Sequence, residues 1–244
     1  MGSSCRFGII VQARLKSTRL PRKILSELAG KTMLEQIVKR CKQSRYAGNR
    51  VVVICPTGEG EEIFTHTGIV PYEGPELDLL SRFLVPVRKL NIECAVRVTA
   101  DCPLVCPVMM DTMIEETATP CTINWDPRTW PDGIDLDVWG RQLLEDLDKE
   151  FTSPADREWW ATKAVHEKIP KRLITSVTTW NTRDLTRYRL TVDHAEDLEL
   201  VRAVYKAQGN DTWTVKKITD WLDKNPKIKA LNQKHVDGTF GDIY

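Results

Sequence analysis

Between Ala13 and Lys23 the chain packs five cationic side chains (Arg14, Lys16, Arg19, Arg22 and Lys23) and two hydroxyls (Ser17 and Thr18) into eleven residues. Arg binds phosphate oxygens in bidentate fashion and Lys neutralises them as a compact charge. Such a run is ordinarily a solvated basic loop, and it contains neither GxxxxGK[ST] nor GxGxxG. Its position argues for more. It follows directly on Phe7–Gln12, a continuous apolar run of the kind that forms a strand buried on both faces. Two aspartates stand at comparable places: Asp101 just beyond the run Cys94–Val98, and Asp193 just beyond Tyr188–Val192. Either alone reads as a helix cap. Ligands of an open α/β sheet collect at the carboxyl ends of its strands, so all three segments should converge there. Two carboxylates facing a basic loop suit Mg²⁺, which takes one or two protein carboxylates and completes its shell with water and phosphate oxygens. The chemistry implied is phosphoryl-type transfer, in which an acceptor hydroxyl attacks in line and no protein nucleophile is required.

The elements that must position these residues follow from periodicity. Thr32, with Glu35 three residues later, opens a helix through Met33, Leu34, Ile37, Val38 and Cys41 as a capping box. Val51–Cys55 is a second buried strand, so strand, helix, strand predicts a right-handed βαβ unit. Leu77, Leu80, Leu84 and Val87 predict a helix that Pro86 kinks or ends early. Val108–Glu116 predicts a helix, and Thr122–Trp125 and Ile134–Val138 predict strands around a Pro-Gly turn segment. From Gly140 to Lys168 the pattern is helical and includes Trp159 and Trp160; Arg172–Thr179 and Tyr188–Val192 then read as strands. Helices are expected near Asp197–Lys206 and Val215–Lys224, the latter stopped by Pro226. The alternation predicts a three-layer α/β/α fold with a mostly parallel open sheet, in one domain over residues 1–244 with a mid-chain insertion around 140–180.

Composition excludes several classes. A formal charge of +1 over 244 residues gives no field for a polyanion, so no nucleic-acid partner is expected. Neither a signal-like start nor a spanning apolar run is present, which predicts a soluble cytoplasmic protein without a membrane partner. Seven cysteines scattered among apolar positions fit reduced, buried thiols, and the pair Cys102 and Cys106 finds no His pattern to make a zinc site.

At these same residues the sequence resembles the cytidylyltransferases of the CMP-sugar synthetase type, particularly the SpsF-like branch of spore-coat polysaccharide biosynthesis. The strings IIVQARLKSTRLPRKIL, GKTMLEQIVKRCK, YEGPELDLLSRF, RVTADCPLV, WPDGIDLDV, RYRLTVDHAEDLELVRAVY and NPKIKALNQ carry the resemblance over nearly the whole chain. It implies a nucleotide-diphospho-sugar transferase-like fold, CTP and a sugar-like acceptor as partners, Mg²⁺ as cofactor, release of pyrophosphate, and a homodimer. By the same similarity Arg14, Ser17 and Lys23 hold the nucleotide and its phosphates, Thr99 lies near the base, Asp78 and Arg82 contact the nucleotide, and Asp101 and Asp193 bind the metal; Arg14, Lys23 and Asp101 would be catalytic. Two departures fall in the acceptor half. Cys106 replaces an acidic residue, and Arg157-Glu158-Trp159-Trp160-Ala161 stands where many relatives read REHVT. Trp side chains at such a place are more often core or interface residues than ligand contacts.

Two other readings remain open. A glycosyltransferase on the same kind of fold would carry a DxD metal motif, for which Asp135-Leu136-Asp137 is the candidate. A nucleotide-binding protein without catalysis would be free to lose the aspartates at positions 101 and 193.

Overall fold

Ile9, Ile10 and Val11 are apolar in succession because both faces of their strand are covered: Ile9 and Val11 pack into one core and Ile10 into another. The computed structural model describes residues 5–48, 50–117, 121–124, 129–167, 169, 171–173 and 184–236. In chain order the strands are β1 (Phe7–Gln12), β2 (Glu27–Leu28), β3 (Lys31–Thr32), β4 (Val51–Pro56), β5 (Tyr72–Gly74), β6 (Cys94–Thr99), β7 (Cys121–Ile123), β8 (Leu136–Gly140) and β9 (Lys171–Leu173). The α-helices are α1 (Met33–Cys41), α2 (Gly60–Thr67), α3 (Leu79–Lys89), α4 (Pro107–Glu115), α5 (Arg141–Glu150), α6 (Pro154–Glu158), α7 (Trp160–His166), α8 (Ala195–Gln208), α9 (Val215–Lys224) and α10 (Pro226–Lys229). None of the described helices is long and apolar enough to cross a membrane.

The main sheet runs β5-β4-β1-β6-β8-β7-β9. β5, β4, β1 and β6 are parallel, β8 is antiparallel to both its neighbours, and β9 is parallel to β7. One core joins the sheet to α1, α4, α8 and α9, and the other joins it to α3, α5 and α7. That is the expected three-layer α/β/α arrangement with a mostly parallel sheet. α1 begins where its sequence signals: the Thr32 side chain accepts from the Glu35 N–H (3.2 Å), and Glu35 accepts from the Thr32 N–H (2.7 Å).

Three expectations change. Of the two outcomes expected at Pro86, a kink or an early end, the second does not occur: α3 runs through Pro86 to Lys89. Proline removes one helical donor, but Leu80, Phe83, Leu84 and Val87 are completely buried on the same face, and that burial holds the helix together. Leu77 precedes the helix and is exposed. Among the described residues Tyr188–Val192 makes only a single bridge, Arg189 to Asp132, instead of a sheet strand. Its backbone is clamped by other partners, since the carbonyl of Asp132 accepts from the Leu190 N–H (2.6 Å) and that of Asp101 from the Val192 N–H (2.8 Å). The strands expected at Thr122–Trp125 and Arg172–Thr179 are described at Cys121–Ile123 and Lys171–Leu173; Trp125 and residues 174–179 lie outside the described residues.

The clamp on residues 190–192 depends on Gly133. It adopts φ +102°, and a Cβ there would overlap the backbone of Leu190 and Thr191. Gly133→Ala combines that overlap with a left-handed backbone, which should cost at least about 2 kcal/mol. For a chain of this length the melting temperature should then fall by about 4–8 °C. An unchanged melting temperature would show that the two segments are not held against each other.

Candidate active site

The basic segment is folded rather than loose. The Leu15 N–H donates to Glu59 Oε2 (2.6 Å), the Arg22 N–H donates to the Leu15 carbonyl (2.9 Å), and Arg22 takes a left-handed φ of 58° before a single turn of 3₁₀ helix at Lys23–Leu25. This turn drives Lys23 inward until it is 7% exposed. Its Nζ donates to the Val192 carbonyl (2.8 Å) and to Asp193 Oδ1 (2.9 Å), and lies 3.4 Å from Asp101 Oδ2. The first loop, the end of β6 and the segment before α8 therefore meet at one ammonium group; the first two come from strand ends, as the sequence predicts, and the third is brought in by its clamp to Asp132 and Asp101 rather than by a strand.

Neither aspartate caps a helix. The N-cap of α4 is Cys106 and that of α8 is His194, while Asp197, inside α8, accepts from the N–H groups of Asp193 (3.0 Å) and His194 (2.9 Å). Both carboxylates are thus left to face cations. Asp193 also meets Arg19 Nη2 (2.8 Å) and Arg189 Nη2 (3.0 Å). Arg189 is almost completely buried and pairs with Asp132 and Asp197 as well. Burial would lower the Lys23 pKa, but the charges of Asp101 and Asp193 outweigh it and raise it. Burial would likewise raise Asp193, yet Lys23 and Arg19 hold it well below the usual carboxylate range.

Around this point lies a cleft of about 340 Å³ lined by Gln12, Arg14, Ser17, Arg19, Lys23, Arg82, Arg97, Thr99, Asp101, Asp193 and the segment Glu158–Thr162. Seven of the eight expected site residues line it. Arg14 is exposed and no described residue is hydrogen-bonded to its side chain, whereas Arg82 is buried with Nη1 donating to the carbonyls of Pro75 (2.8 Å) and Glu76 (3.2 Å). Ser17 Oγ lies 3.5 Å from the Leu20 N–H, and Thr99 Oγ1 is 3.1 Å from Cys102 Sγ. Asp78 does not line the cleft. Its Oδ1 caps α3 through the Ser81 N–H (2.9 Å), and its Oδ2 accepts from Arg157 Nε (2.7 Å), so its carboxylate is committed to bracing α3 against α6.

A model of the cytidylyltransferase family matches residues 8–125. A cytidylyltransferase from Leptospira borgpetersenii serovar Hardjo-bovis superposes with a TM-score of 0.83 at 30% identity, over 92% of this chain and 97% of that one. The spore coat polysaccharide biosynthesis protein SpsF of Bacillus subtilis is 26% identical over 93% of this chain and 98% of its own length. A 3-deoxy-manno-octulosonate cytidylyltransferase of Actinobacillus pleuropneumoniae serotype 5b is 34% identical across 45% of each chain. The chain belongs to the cytidylyltransferase family.

As a nucleotidyltransferase of this family it has more charge in its site than its sequence advertised. Asp132 and Asp135 lie in the turn that packs on residues 190–192. Burial first, and then the charges of neighbouring aspartates, push Asp132 up to about 6 and Asp135 up to about 8. Arg189, the hub of the cluster, sits four residues before Asp193 and eight before Asp197 in RYRLTVDHAED, but before folding nothing distinguishes it from a surface arginine. The DxD candidate of the cytidylyltransferase does not offer a metal pair. Asp137 is 1% exposed, receives Arg97 in a bidentate contact (2.9 and 2.6 Å) and accepts from the Trp139 indole N–H (2.5 Å). Trp160 is core, packed edge-on against Trp139 at 4.8 Å, whereas Trp159 is 55% exposed at the rim of the cleft.

The raised Asp135 has a consequence for stability. A folded-state pKa above the unfolded value of about 3.9 means that the native state binds the extra proton, so stability falls as pH rises from about 4 to about 8. In chelator-treated cytidylyltransferase, the melting temperature of Asp135→Asn relative to wild type should rise steadily from pH 5 to pH 8. A difference that stays constant across that window would place Asp135 in solvent.

Proposed function

We propose that this cytidylyltransferase joins CMP from CTP to a hydroxyl of a sugar-like acceptor, releasing pyrophosphate, with Mg²⁺ as cofactor. The observation that carries this reading is the Lys23 ammonium held between Asp101 and Asp193 at the floor of a cleft rimmed by Arg14, Ser17 and Arg19. Lys23 and Arg19 are here neutralising carboxylates; a triphosphate offers them stronger anionic partners and leaves the two aspartates facing a position that already suits a cation. Arg14, which has no carboxylate partner among the described residues, is free to take a phosphate directly. Arg82 and Thr99 line the same cleft and are proposed to meet the nucleoside.

The residues present fit Mg²⁺ on two counts. Two carboxylates reach one shared cation position, and phosphate oxygens and water complete the shell of this metal without a third protein ligand. Around Arg19, Lys23 and Arg189, moreover, four carboxylates (Asp101, Asp132, Asp193 and Asp197) share three cations, and Asp135 is buried close by; burial first, and then this surplus of negative charge, raises Asp132 and Asp135. Asp101 and Asp193 would hold the ion, which when bound supplies electrophilic activation of the α-phosphate. Everything else is positioning. Arg14, Arg19 and Lys23 oppose the charge that accumulates on departing pyrophosphate, and the folded backbone of the basic segment keeps all three beside the cleft. Arg97, Glu158, Trp159 and Thr162 line the remainder of the cleft and are assigned to the acceptor.

The test is pyrophosphate release from CTP and Mg²⁺ against a panel of acidic and neutral sugars. With the acceptor that works, Asp101→Asn should lower kcat about a hundredfold or more. Asp101 is the cleaner probe because Asp193→Asn also unpairs the buried Arg189. Arg14→Met should weaken CTP binding about tenfold or more, the value of one charge-assisted contact. Near wild-type turnover in Asp101→Asn would remove the metal from the reading, and a loss below about threefold in Arg14→Met would remove the phosphate contact.

A further inference from the structure

The nucleotide cleft contains a buried hydrogen-bond acceptor that none of the described residues satisfies. Gln12 is the last residue of β1, its backbone fixed in register between Ile54 of β4 and Thr99 of β6. Its side chain lines the cleft, and its Oε1 is buried with no hydrogen-bond partner among the described residues. An amide carbonyl in that condition costs free energy in the absence of ligand, and such groups are rare enough to require a reason. In the same cleft Arg82 presents the complementary case. Two backbone carbonyls fix its Nη1, the residue is 4% exposed, and its Nε–H is buried with no partner among the described residues.

We infer that Gln12 reads the exocyclic amine of the nucleotide base, its Oε1 accepting from N4 of cytosine while Arg82 Nε–H donates to a ring acceptor; this rests on the proposed CTP reaction. Cytosine places an amine donor beside a ring-nitrogen acceptor, which matches one free acceptor and one free donor. Uracil inverts both, with a carbonyl at position 4 and an N–H at position 3. A glutamine alone would not discriminate, because its amide can turn to present the NH₂. A guanidinium has no acceptor and cannot turn. Arg82 therefore sets the polarity of the edge, and Gln12 supplies the one contact that an amine makes and a carbonyl does not. Adenine shares the amine-and-acceptor edge on a bicyclic ring, so the pair selects an amino base and the dimensions of the cleft must select the pyrimidine.

Calorimetric titration of the full chain with Mg²⁺ and CTP, UTP or ATP tests this without an acceptor. Wild type should bind CTP about tenfold or more tightly than UTP or ATP. Gln12→Met, similar in size and lacking the acceptor, should narrow that preference by weakening CTP severalfold more than UTP, with Arg82 retaining the remainder. Gln12→Glu keeps an acceptor oxygen and should retain the CTP-to-UTP ratio even if its added charge weakens every nucleotide; melting curves establish that both variants are folded. A wild type selective for CTP whose ratio is unchanged in Gln12→Met overturns the role of Gln12 and leaves the proposed reaction standing. Equal wild-type affinity for CTP and UTP, or for CTP and ATP, overturns the cytosine assignment itself and this inference with it.

Discussion

The ion pairs of Lys23 with Asp193 and Asp101 are the interaction on which the site depends. They join segments that are far apart in sequence, Lys23 lying 78 positions before Asp101 and 170 before Asp193. Taking an ammonium and two carboxylates out of water is expensive, and their mutual attraction offsets that only when the geometry is good and the remaining polar atoms are bonded. Here they are. The third Lys23 donor goes to the Val192 carbonyl, and the second oxygen of Asp193 goes to Arg189. The cluster is therefore held by charge pairing rather than by shape, and an anionic ligand that competes for the same cations acts on the element that positions it.

Arg189 shows why the surroundings of that cluster must stay rigid. Its guanidinium divides itself among Asp132, Asp193 and Asp197, and Asn232 closes the shell by donating to Asp197 (2.8 Å) and to the Arg189 carbonyl (3.0 Å). Asp197 in turn holds the start of α8 through two backbone N–H groups. A fork of fixed planar donors suits this task in a way that lysine would not. The Gly133 turn delivers Asp132 to the fork while its carbonyl clamps residues 190 and 191. Backbone and side-chain contacts thus enforce one arrangement from two directions.

Much of this was legible before folding. The apolar runs at Phe7–Gln12 and Val51–Cys55, the capping box at Thr32 and the position of acids and bases just beyond strand ends located the sheet, α1 and the three converging segments, because those signals are local and periodic. What escaped was whatever depends on a partner distant in sequence. Asp78 looked like a site residue and is a cap tied to Arg157; Asp137 looked like half of a metal motif and is the counter-ion of Arg97. Pro86 was read as a kink or an early end because the gain from burying the opposite face of α3 is tertiary. Gln12 carried no signal at all, since an amide at the end of a strand becomes noteworthy only when folding leaves its oxygen buried and alone. The Trp pair divides in the same way, Trp160 into the core and Trp159 to the rim, for reasons that the dipeptide does not contain.

The central claim is that Lys23 and Asp193 are bound to each other in the free protein and to different partners once CTP and Mg²⁺ are present. A double-mutant cycle with Lys23→Met and Asp193→Asn, read as unfolding free energy with and without saturating CTP and Mg²⁺, measures it directly. The account predicts a coupling energy of about 1 kcal/mol or more in the free protein that largely disappears in the presence of nucleotide and metal. Additive effects in the free protein, or a coupling that persists unchanged when CTP is bound, would contradict it.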